Sequence, residues 1–191
     1  MEPGLKETNR GSLYTHAPPI YTNSIIILEV IILMGKMNVA QEIHIVPIVS
    51  ATAITSTTVL PHINMKLYEK VEFLVNLSTV AANDFTVTLT QSAATAGGTS
   101  TAIAARYRLT AVAGTDTMGD VTALASTGLA ITTAHTTLTL IVDVDSQDMT
   151  TESKPYVGLT FTDAGSGNLT YTVIALCWPK YPKETNASAL T

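Results

Sequence analysis

The residues best placed to do chemistry form one acidic cluster, Asp143, Asp145 and Asp148, with Glu152 close behind. Carboxylate oxygens gathered this way are the ligand type that calcium takes. The spacing does not follow the calcium-loop pattern, however: the third ligand step and the required glycine are both missing. Asp143 and Asp145 fall on one face of a strand, so the plainer expectation is a solvated strand end and turn. The four histidines, His16, His44, His62 and His135, are far apart in the chain, and none has a partner at metal-ligand spacing. Cys177 is the one cysteine and stands beside Trp178 in an apolar run, so it reads as a small buried hydrophobe and excludes an intrachain disulfide. No Gly-x-Ser-x-Gly elbow is present. Gly165-Ser166-Gly167 is a loop, and Gly97-Gly98 lacks the Lys-Ser/Thr pair of a phosphate loop. The chain therefore reads as a non-enzyme, with no catalytic residues, no metal and no cofactor.

Charge narrows the partners. Charged residues make up 13% of the 191, about half the ordinary share, and the formal net charge is −5. From Leu109 to Pro179 Lys154 is the only cation against seven carboxylates, and Arg106 and Arg108 are the only paired basic residues. No cluster exists to neutralise a phosphate backbone, which argues against nucleic acid. Ile25, Ile26, Ile27, Leu28, Val30, Ile31, Ile32 and Leu33 form an apolar run interrupted by Glu29. The run is far short of the roughly 20 residues of a spanning helix, and no compact basic region precedes it as in a signal peptide. No membrane is expected. Its β-branched content favours a strand, one buried on both faces or added to a neighbour's sheet.

The elements that would position these residues are strands. Thr, β-branched and suited to a pleated surface, occurs 32 times. Val71, Phe73, Val75 and Leu77 alternate with Lys70, Glu72 and Asn76; Phe85, Val87 and Leu89 alternate with Thr86, Thr88 and Thr90. The same period of two runs through 103–110, 137–144, 157–162 and 169–177. Turn signals such as Gly114-Thr115-Asp116 and Thr127-Gly128 separate the segments. The only helical candidate is one turn within 146–153. The pattern predicts an all-β, antiparallel β-sandwich, jelly-roll-like, with an extended N-terminal arm. The boundaries are 1–36 for the arm with its Ile-rich strand, 37–180 for the sandwich, and 181–191 for a C-terminal tail.

The segments 68–95, 137–149, 156–165 and 175–182 (YEKVEFLVNLSTVAANDFTVTLTQSAAT, TLTLIVDVDSQDM, YVGLTFTDAG and ALCWPKYP) resemble the small β-sandwich head proteins of tailed phages, the decoration or cement and minor-capsid kind. The resemblance covers some 140 residues, from about Ile43 to Pro182; the stretch up to Met37 departs from it. It implies a structural virion protein, made in the host cytoplasm, whose partners are the major capsid protein and copies of itself as a homo-oligomer. In that setting the partner contacts are expected at Ile25, Ile26, Ile27, Leu28, Val30, Ile31, Ile32 and Leu33. The alternative is a secreted or surface β-sandwich that binds carbohydrate or mediates cell adhesion. It would need an exposed aromatic and polar cleft, with Trp178 and Tyr171 as candidates on opposite strand faces.

Overall fold

A computed structural model describes residues 42–81, 85–165, 167–181 and 188–190, all within the compact unit Asn38–Thr191. The arm 1–36, including the run 25–33, lies outside the described residues.

Among the described residues twelve strands form in chain order: β1 (His44–Ile54), β2 (Thr58–Val59), β3 (Ile63–Asn64), β4 (Tyr68–Val80), β5 (Phe85–Ser92), β6 (Thr101–Ile103), β7 (Ala105–Leu109), β8 (Thr122–Leu124), β9 (Leu129–Ile131), β10 (Thr139–Asp145), β11 (Tyr156–Asp163) and β12 (Leu169–Pro179). Two single 3-10 turns, Thr133–His135 and Ser146–Asp148, are interposed; the second falls inside the one predicted helical turn. The strands make two antiparallel sheets. The first has the order β1-β12-β4-β10-β7-β8. In the second, β11 and β5 are central, with β2 and β3 along one edge and β6 and β9 along the other.

This is an all-β sandwich. Leaving aside β3, β7, β8 and β9, the strand orders are β1-β12-β4-β10 in one sheet and β2-β11-β5-β6 in the other. Most connections cross from sheet to sheet, which is the wrapping of a jelly roll.

The period-two pattern closes the core. Val71, Phe73, Val75 and Leu77 of β4, with Leu140, Val142 and Val144 of β10, meet Phe85, Val87 and Leu89 of β5 and Val157, Leu159 and Phe161 of β11. All of these are essentially excluded from water. Tyr171 of β12 stacks on Phe161 of β11 at 4.4 Å, tying the sheets together ring to ring. Burial pushes the Cys177 thiol up to about 12, so it stays protonated in the core.

Two expectations change in detail. The alternation over 103–110 predicts one strand, but the chain breaks at Ala104. Ile103 in β6 pairs with Leu89 in the second sheet, while Arg106 in β7 pairs with Asp143 in the first. An unbroken inward period survives the break because both halves face the same core, so alternation is blind to a strand that switches sheets. At the C-terminus, 188–190 return to the sandwich. The Asn64 amide donates to the Ala189 carbonyl at 3.0 Å, and Ala189 is buried.

Candidate interaction face

The outward sides of the two sheets are chemically unlike, and the difference defines the candidate site. On the second sheet the outward residues are small: Thr86 and Thr88 on β5, and Gly158, Thr160 and Thr162 on β11. This face is partly covered by the chain's own loops. Gly128 sits so close that a Cβ there would lie 2.6 Å from the Thr86 and Thr88 methyls. His62 lies over Gly158 in the slot left by the missing side chain, and beneath Gly97. Its Nδ1 hydrogen donates to the Leu60 carbonyl at 2.8 Å, and its Nε2 lies 3.0 Å from the Thr90 hydroxyl, which donates to the Gly158 carbonyl at 3.2 Å. Burial lowers its pKa, so the ring is held neutral.

The first sheet presents a broader, unlike face. Cross-strand partners share a side, so register gives its rows directly. One row runs Pro47, Ile174, Leu74, Ile141, Arg108 across β1, β12, β4, β10 and β7. The next runs Ile45, Leu176, Glu72, Asp143, Arg106 across the same strands. A third holds Trp178, Lys70 and Asp145. The β1 and β12 half is thus apolar, and the β10 and β7 half is charged. Ile45 and Val121, at opposite margins, are each 49% exposed.

The charged half is internally organised. Arg106 reaches Asp143 at 2.9 Å, Asp145 at 2.5 Å and Asp148 at 3.9 Å. Asp143, Asp145 and Asp148, the trio that raised the calcium question, therefore converge on a guanidinium of their own chain. Asp148 also accepts the Asp145 amide at 3.2 Å, closing the 3-10 turn. Glu152 is elsewhere, lining a separate hollow of about 390 Å³ with Lys66 and Lys180. Lys70 pairs with Glu72 at 2.6 Å, and its ammonium stands 5.3 Å over the Trp178 ring. Arg108 makes no ion pair among the described residues. It opens into a cleft of about 480 Å³ whose apolar wall is Met118, Val121 and Ile141.

The remaining sequence candidates do not assemble. His44 bonds Tyr68 at 2.5 Å, and His135 Nδ1 accepts the Thr132 amide at 2.9 Å. His44, His62 and His135 thus bond separate partners, and His16 lies outside the described residues. Among the described residues no group of three metal-ligating side chains is gathered. Of the aromatic pair, Tyr171 belongs to the core and Trp178 to the outer face. The eight apolar residues of 25–33 lie outside the described residues. What the sequence reading passed over was the apolar row itself. Its signal was visible, since Ile141, Ile174 and Leu176 occupy outward positions where Thr is the rule.

The fold and this face define a jelly-roll sandwich with one broad outer sheet face, half apolar and half charged. The chain matches no protein-family model, no curated protein and no solved structure.

Proposed function

We propose that this chain is a structural virion protein, a capsid decoration, cement or minor capsid component that stabilises a tailed-phage head through protein–protein contacts. Its partners are the major capsid protein and copies of itself, and it works without catalysis or cofactor. The observation that carries the reading is the outer face of the first sheet on a jelly-roll frame. Jelly rolls serve as capsid building blocks, although a fold alone does not assign a function. A sheet face with an apolar half and a paired-charge half has the composition of a protein interface: apolar in the middle, polar at the rim. The low charge and the Thr-rich surface fit the same role. The apolar run Ile25, Ile26, Ile27, Leu28, Val30, Ile31, Ile32 and Leu33 is the proposed attachment segment.

The test is head binding by the full chain carrying Ile26→Asp and Ile31→Asp. Occupancy on purified heads is expected to fall at least tenfold while the melting temperature is unchanged. Unchanged occupancy would remove the run from the mechanism, and no binding by the wild-type chain would remove the virion reading.

A second reading has one observation in its favour: the cleft of about 480 Å³ beside Arg108, one of whose lining residues, Lys70, also stands over the Trp178 ring. A carbohydrate-binding or adhesion module would use such an aromatic and polar site. Glycan-array binding that is lost in Trp178→Ala and Arg108→Ala would favour it over the virion reading.

A further inference from the structure

We infer that the outer face of the first sheet is a self-association surface, and that its occupant is the same face of a second copy of this chain. The inference rests on the assembly reading above and deepens it by naming the surface.

Ile45, Pro47, Leu74, Ile141, Ile174 and Leu176 form a contiguous apolar patch across four adjacent strands, exposed at Ile45 and Pro47 and half-buried at the other four. The opposite sheet's outer face is served by the chain's own Gly128 turn and His62. Contiguous apolar surface on a sheet face marks an interaction site.

Charge selects the occupant. The whole chain carries −5, so two copies repel on average. This face carries three cations, Lys70, Arg106 and Arg108, against four carboxylates, Glu72, Asp143, Asp145 and Asp148. It mixes both signs in an acidic molecule, so a second copy meets cations as well as carboxylates there. Arg106 is already satisfied by its own carboxylates, while Arg108 is left to bond across the contact. Size is sufficient as well. Six strands at about 4.8 Å spacing, over about 20 Å of strand length, project roughly 500 Å². With side-chain relief this approaches the roughly 800 Å² per partner of a standard interface.

The experiment is the mass of the full-length chain in solution by sedimentation, at concentrations up to about 100 µM. The wild type is expected to sediment as a dimer or a higher even assembly. Ile174→Glu on β12 and, separately, Ile141→Lys on β10 are each expected to return it to the monomer mass. Both side chains point away from the core, and circular dichroism with a thermal melt establishes that each variant is folded. If one unfolds, the other carries the test. A monomeric wild type overturns the inference, whether the face is bare or another segment of the chain covers it. Association that both folded variants retain also overturns it. Head binding measured on the same preparations separates the two ideas: loss of the dimer with head binding intact leaves the virion reading standing. A dimer that binds no head sinks that reading and leaves the face in place.

Discussion

At the scale of single residues, His62 ties side-chain chemistry to the second sheet. It is fully buried, and both ring nitrogens are engaged, one as donor to the Leu60 carbonyl and one against the Thr90 hydroxyl. The Thr90 hydroxyl also lies 3.2 Å from the Thr160 hydroxyl, so a proton added at Nε2 disturbs a connected set of bonds. Burial lowers the folded pKa of His62 below its ordinary 6.5, and His44 shifts the same way. The unfolded chain then takes up a proton that the folded chain refuses. The stabilisation is fully present above about pH 6.5 and is lost as pH falls below it. The melting temperature is expected to decline from pH 7 to pH 5, and His62→Gln is expected to flatten that slope. A wild-type profile that is level over this range would refute the assignment.

Among the elements, the second sheet depends on close approach at its edges. The turn before β9 places Gly128 at φ +88°, a conformation that side chains resist. A Cβ there would also stand 2.7 Å from the Val87 carbonyl oxygen, which is backbone and cannot swing aside. Gly128→Val is expected to cost about 2 kcal/mol or more in chemical denaturation, by strain and overpacking together. A loss under about 0.5 kcal/mol would mean that the β5–β9 edge relaxes freely. The break at Ala104 works in the other direction. By passing from β6 to β7 the chain adds a strand to the first sheet beyond β10, and that strand brings Arg106 to Asp143 and Arg108 to Ile141. Without the switch the charged half of the outer face would not exist.

For the whole molecule, the decisive quantities are the net charge of −5 and its uneven placement. Two copies meeting face to face bring charges of both signs together but still carry like net charge at longer range. Raising salt from about 0.02 M to about 0.3 M shortens the screening length and is expected to strengthen self-association severalfold. Sedimentation across that range reads the effect directly. Weakening with salt would instead assign the association to unlike charges and remove the apolar patch as its main source.

Much of this protein is legible along the chain. Val71, Phe73, Val75 and Leu77, and their counterparts in the later strands, announce the two inner faces, because a pleated strand turns alternate side chains to opposite sides. Low charge and abundant Thr determine the all-β class. Cys177 reads correctly as core from its apolar run, while the sequence places Tyr171 and Trp178 only on opposite faces and the structure makes Tyr171 the core member. Register, sheet membership and loop cover were decided only in three dimensions. Alternation says which residues look outward but not which outward residues are neighbours, so Pro47, Ile174, Leu74 and Ile141 become one row only when β1, β12, β4 and β10 pair. The same is true of Arg106 and the three aspartates, which are 37 and more residues apart in the chain and meet by strand pairing. The outer face was written residue by residue in the sequence, and it became a surface through long-range hydrogen bonding, which local pattern does not encode.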